Sequence, residues 1–148
     1  MAAGSTTVLH GAGNISVPKS AIVLLGRIFF VLIFLMAAPN NFTKQGIAYA
    51  ASQGAPVASI GVPLMGVISL VGGLSILLGY RAKIGAWLII AFLLIVTPIM
   101  HKFWGVADPM MAQLQMINFL KNFSMLGGAL LITQFGAGPL SLDARRSL

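Results

Sequence analysis

The sequence predicts an all-α fold: an integral membrane four-helix bundle with N- and C-termini cytoplasmic and a short interfacial segment between helices 1 and 2. Three observations carry the prediction. Hydrophobic residues make up 58% of the 148 residues and charged residues 7%, against roughly 25% charged in an ordinary soluble domain. A soluble domain this small has a large surface to cover, and nine Lys/Arg with two Asp/Glu cannot cover it. Mean hydropathy is +0.97, which also excludes disorder, since a disordered chain needs low hydrophobicity. Finally, the apolar residues fall into runs separated by short basic stretches, and about 20 apolar residues cross roughly 30 Å of hydrocarbon.

Residues 1–17 are rich in Gly, Ser and Thr and read as a flexible segment. The bundle is expected over 18–139, starting with a span at 21–38, with Pro18 suited to the first helical turn and Pro39-Asn40-Asn41 as its end. The run resembles a secretory signal, but Arg27 interrupts it and Pro39 follows the Ala37-Ala38 pair where cleavage would fall, so it is read as a retained span. Lys44 to Arg81 encloses a charge-free stretch too long for one straight span. Its first part, QGIAYAASQGAP, is small and mildly polar and reads as interfacial or re-entrant. The second span follows at 57–78, with Pro63 near its start, and Gly79 to Lys83 forms a tight basic turn. The third span is 84–100, followed by His101-Lys102 and a loop from Phe103 to Pro109 in which Trp104 is a plausible interface anchor. The fourth is 114–135, stopped by Gly136-Ala137-Gly138-Pro139, and 140–148 is a cytoplasmic tail. With both termini inside, Lys19, Arg81, Lys83, Arg145 and Arg146 are cytoplasmic, and Lys44 and Lys102 lie opposite. That bias satisfies the positive-inside rule and places the chain in the inner membrane as a multi-pass protein.

Composition also excludes chemistry. Without cysteine there is no disulfide, thiol redox centre or thiolate metal site. Asp108 and Asp143, the two acids, lie in loop or tail, so no carboxylate pair for acid/base work exists inside the membrane. His10 and His101 are too few for a multi-His metal site. The net charge of +7 is scattered between apolar runs, which argues against nucleic acid.

A polar group inside a span is costly and marks a candidate site. Gln115, Asn118 and Asn122 recur at steps of three and four with Lys121 beside them, and Met111 and Met125 extend the stripe. This spacing puts the amides on one helix face. Two readings stand: amide contacts between helices with a snorkelling lysine, or a polar pocket for a ligand headgroup or quinone carbonyl. His101 is able to exchange a proton near the outer interface. Asn40 lies on the same outer side, so His101, Lys121 and Asn40 converge on one candidate site. Arg27 lies at the other end with no intramembrane carboxylate to pair with, and its donors need carbonyls, amides, lipid phosphate or a ligand. Ser69-Leu-Val-Gly-Gly in the second span echoes Ser124-Met-Leu-Gly-Gly in the fourth. The echo is a shared packing device or the trace of a duplicated hairpin. Small residues allow close backbone approach, so these two spans are expected to meet through Gly72, Gly73, Gly127 and Gly128.

Several pieces carry a family resemblance: Gly26-Arg27-Ile28-Phe29-Phe30, Phe42 with Lys44, Leu70-Val71-Gly72-Gly73, Leu78-Gly79-Tyr80-Arg81, His101-Lys102-Phe103-Trp104, Phe119-Leu120-Lys121-Asn122 with Gly127-Gly128, and Gly138-Pro139-Leu140-Ser141-Leu142-Asp143. In this order, from Leu25 to Asp143, the chain resembles the DoxX-like membrane proteins. The resemblance implies a four-helix bundle linked to membrane oxidoreductase assemblies, including quinone-reducing ones. Many such relatives carry glutamate where this chain has Ser69, and a serine cannot relay a proton as a carboxylate would. The expected role is therefore a non-catalytic membrane subunit or anchor of an oxidoreductase assembly, helping to line a quinone site. It needs no intrinsic cofactor, and its partners are the lipid bilayer, an oxidoreductase and a second copy of the chain. The alternatives are a self-contained quinone- or lipid-binding redox protein using His101, Asn118, Lys121 and Asn122, and a small transporter.

Overall fold

The computed structural model describes residues 19–146; the segment 1–17 and Pro18 lie outside them. The described residues form helices α1 (Lys19–Ala37), α2 (Lys44–Ser52), α3 (Ala58–Leu78), α4 (Ala82–Met100), α5 (Pro109–Phe135) and α6 (Leu142–Arg146), with a 3-10 turn at Ala38–Phe42 between α1 and α2. Four of them, α1 with its 3-10 extension, α3, α4 and α5, are long and apolar enough to cross a membrane. The 3-10 turn and α2 occupy the place of the interfacial segment.

Local chemistry sets the element ends. Thr43 caps α2 by accepting from Gly46 N at 2.9 Å. The α3 helix ends in a Schellman arrangement: Gly79 N donates to Ile76 O at 3.1 Å and Tyr80 N to Ser75 O at 3.0 Å, with Gly79 at φ 65°, the left-handed conformation glycine tolerates best. The fourth span begins at Pro109, five residues before the expected 114, because Asp108 accepts from Met111 N at 2.7 Å. Asp at the cap followed by Pro at the first position is a strong start signal, and it outweighs the weak hydropathy of that first turn.

The helices pack in the order α1, α3, α4, α5, with α4 between α3 and α5. Their shared core is Val31 and Phe34 of α1, Ile76 of α3, Ala86, Ile89, Ile90 and Leu93 of α4, and Ala129 of α5. Lipid tails are as apolar as these side chains, so close packing rather than hydrophobicity holds such a bundle. Among the four spanning helices, the tightest approach at a glycine joins α3 and α4. A Cβ on Gly85 would lie 2.6 Å from Ser75 Cβ and 2.9 Å from Gly72 O, and one on Gly72 would lie 3.0 Å from Gly85 O. The expected meeting of the second and fourth spans through paired glycines does not occur. Gly72 serves the α3–α4 contact, Gly73 receives Leu35 of α1, Gly128 receives Phe30 of α1, and Gly127 faces open space. The sequence echo thus marks small residues in two helices without making them partners.

At one end of the bundle the C-terminal segment folds back onto the α3–α4 turn. Asp143 N donates to Gly79 O at 2.8 Å, and its carboxylate accepts from Arg81 N at 2.8 Å and Ala82 N at 3.1 Å. A residue some sixty positions away therefore caps α4, whose own Arg81 supplies no side-chain cap. Arg27 is buried at this same end, 4% exposed, and donates through Nη2 to the Leu140 carbonyl. Its Nε and Nη1 are buried without a hydrogen-bond partner. Of the partners expected for its donors, a backbone carbonyl of the C-terminal segment supplies one.

Two stability predictions follow from this packing. Gly85→Ala should destabilise the bundle by about 1–3 kcal/mol through overpacking, whereas Gly127→Ala should be neutral or slightly stabilising, by at most about 1 kcal/mol; reversible unfolding in mixed micelles compares them. Asp143→Ala should cost about 1 kcal/mol, as loss of a helix cap does, and should speed amide exchange at residues 81–85 and 136–146.

Candidate ligand site at the His101 end of the bundle

The opposite end is built differently. Gly66 of α3 lets the 3-10 turn lie on the helix, since a Cβ there would meet Asn41 Cβ at 2.9 Å and Phe42 Cζ at 3.0 Å. The chain then turns through Thr43, and α2 runs back across α3. Lys102 Nζ donates to Gln53 O at 3.1 Å, which ties the end of α2 to the loop after α4. Between α2, α3 and the end of α4 remains a cleft of about 480 Å³, within the size range of small-molecule sites. Its walls are mostly apolar, including Ala50, Val62, Met65 and Ile99, with Asn40, Asn41, Tyr49 and His101 as the polar side chains.

A second cavity of about 180 Å³ adjoins it. It is lined by Ser69, Lys121, Asn122 and Met125 together with Ala37, Asn41, Phe92 and His101. The last four also line the larger cleft, so Asn41 and His101 stand at the junction.

The sequence-marked residues fall into three groups. His101 Nδ1 lies 3.0 Å from Gln115 Oε1, which orients the ring. With the amide oxygen accepting, Nδ1 carries the proton and Nε2 of the neutral ring is free to accept. Lys121 Nζ donates to Asn118 Oδ1 at 2.9 Å; Lys121 faces the smaller cavity, whereas Asn118 lines neither. Asn122 is buried and donates through Nδ2 to Thr97 Oγ1 at 3.1 Å. Within the amide stripe, Asn122 joins α5 to α4, Gln115 holds His101, and Asn118 holds Lys121. Asn40 lines the larger cleft, Ser69 donates to Gly66 O at 3.0 Å, and Arg27 lies at the far end with the C-terminal segment. Met111 is exposed, whereas Met125 lines the smaller cavity.

Spacing did not single out Asn41, Thr97 or the α2 wall. Asn41 was legible only as a helix-ending partner of Asn40. Thr97 carries no charge to draw attention in an apolar run. Tyr49 and Ala50 reach the cleft because α2 folds back, which no local pattern announces. Beside the site, Phe103, Trp104, Phe119 and Phe123 form a ladder of ring contacts with centroids 5.0–5.9 Å apart. Aromatic residues of this kind gather at membrane–water interfaces.

These features define a multi-pass helical membrane protein with a largely apolar cleft and a polar corner at one end. The SURF4 family model matches residues 7–147, and the chain belongs to the SURF4 family. It is 33% identical over 129 residues to the inner membrane protein YphA of Escherichia coli K12, covering 86% of this chain and 91% of that protein. It is 26% identical over 121 residues to the inner membrane protein YqjF of the same organism, covering 82% and 88%. It is 24% identical over 130 residues to the ER-derived vesicles protein ERV29 of Saccharomyces cerevisiae, covering 88% of this chain but 35% of that protein. No solved structure matches the chain. The chain is a multi-pass protein of the inner membrane.

The family match overturns the DoxX-like resemblance. The reason is physical: a glycine pair, basic residues at span ends and an interfacial aromatic group solve packing and topology problems common to small helical membrane proteins. Their order is weaker ground than a match along the whole chain. The oxidoreductase assembly was implied by that resemblance and loses its support with it.

The Thr97–Asn122 bond gives a local test. A double-mutant cycle with Thr97→Val and Asn122→Leu should return a coupling of about 0.6 kcal/mol, as for other hydrogen bonds between membrane helices. A coupling indistinguishable from zero would show the pair to be incidental.

Proposed function

We propose that this protein binds an amphipathic, lipid-like molecule in the cleft between α2, α3 and α4, with a quinone or a lipid as the class of ligand. One observation carries the reading. A mostly apolar cleft of about 480 Å³ ends at Asn40, Asn41 and a His101 ring held by Gln115. Such a site suits an apolar body and one hydrogen-bonding head, because a few placed polar groups fix orientation while apolar walls supply contact. Asn41 offers both donors and an acceptor, and the free nitrogen of neutral His101 accepts. A quinone carbonyl would take the Asn41 donors; a lipid hydroxyl would donate to His101. The basic bias of the Arg27 end supports cytoplasmic termini, with the cleft then at the outer interface.

The test uses the purified full chain in phosphatidylcholine nanodiscs, with decylubiquinone and monoacylglycerol as probes and native mass spectrometry as readout. At least one probe should bind stoichiometrically. Ile99→Trp, which fills the cleft, should weaken binding at least about tenfold, or about 1.4 kcal/mol, while leaving the helical circular dichroism unchanged. If neither probe binds, or if Ile99→Trp binds as well as the parent, the cleft is not the site.

A further inference from the structure

We infer that the head of the bound amphiphile is anionic, a carboxylate or phosphate held beside the junction of the two cavities by Lys121 and Asn41, with its hydrocarbon chain in the larger cleft. The inference rests on the proposed function and adds to it the charge of the ligand.

The argument begins with charge balance. The chain holds two acids, and both are occupied elsewhere. Asp108 caps α5 through Met111 N, and Asp143 caps α4 through Arg81 N and Ala82 N at the opposite end of the bundle. Lys121, exposed at the rim of the smaller cavity, is therefore paired only to a neutral group, Asn118 Oδ1 at 2.9 Å. Lys102, whose Nζ donates to Gln53 O, brings a second cation to the neighbourhood of the larger cleft. The cavities thus present basic groups and no carboxylate.

Position decides where an anion would sit. Lys121 lines the smaller cavity alone, whereas His101 and Asn41 line both. An anionic oxygen in the smaller cavity would have the Lys121 ammonium and the Asn41 amide as donors. From there the larger cleft leads away along Val62, Met65 and Ile99 toward α2, apolar side chains against which a hydrocarbon chain can lie. The ammonium and the anion attract each other wherever they meet at this rim. A neutral head would gain the hydrogen bonds but not this charge term.

Charge is the variable to isolate. Palmitate, lysophosphatidate and hexadecanol share a long chain and differ in the head. Each is titrated against the full chain in phosphatidylcholine nanodiscs by native mass spectrometry, at low and high salt. The anions should bind at least about tenfold more tightly than hexadecanol, and Lys121→Met should reduce that preference to about twofold or less. Lys121→Arg should retain it. Tighter palmitate assigns a fatty-acid carboxylate, and tighter lysophosphatidate a lipid phosphate; both support the inference. Equal binding of anions and alcohol, or an undiminished preference in Lys121→Met, overturns it while leaving the amphiphile site intact. Failure of all three probes, and of the neutral probes above, overturns both.

Discussion

A bilayer offers no hydrogen-bond partner to a buried polar group, and this constraint organises the molecule. Every polar side chain in the spans must find a partner within the protein or reach an end of the bundle. With two acids in the chain, both caught at helix caps, neutral groups do this work. Asn122 meets Thr97, Gln115 meets His101, Asn118 meets Lys121, and Arg27 meets a backbone carbonyl. The polar groups consequently sort into two ends separated by an apolar core of Val31, Phe34, Ile76, Ile89 and Leu93.

The two ends have different characters because the chain closes one and leaves the other open. At the Arg27 end, the segment after α5 returns to the α3–α4 turn, and Asp143 joins the two through backbone hydrogen bonds. At the His101 end, Gly66 lets the 3-10 turn settle on α3, and α2 then stands off from α4. The gap is the cleft. Its polar corner comes from three separate stretches of chain, the α1–α2 turn, the end of α4 and the middle of α5. The site therefore depends on helix packing that brings these stretches together, and the packing depends on small residues such as Gly72 and Gly85 where α3 meets α4.

Family membership bears on function in a limited way. Kinship with YphA and YqjF fixes the kind of protein and its membrane, and the chain is similar to about a third of the longer ERV29. Short motifs misled where they reflected general membrane physics. The Gly-Arg-aromatic, Gly-Gly and His-Lys-Phe-Trp groups are answers to backbone approach, topology and interface anchoring, and unrelated bundles can share them.

The sequence by itself determined the fold class, the four spans, the absence of intramembrane acids and thiols, and the identity of the polar residues that had to be accommodated. These follow from hydropathy, length and composition, which are local properties. Even the early start of α5 was available in Asp108-Pro109. Only the tertiary structure decided which glycines meet, that the C-terminal segment caps α4 through Asp143, and that Asn41, His101 and Lys121 share a corner while Asn122 is spent on Thr97. Those outcomes depend on helix rotation and on the path of α2, set by side-chain shape across residues distant in sequence. A periodic pattern gives a helix its polar face, but the neighbouring helices determine what that face meets.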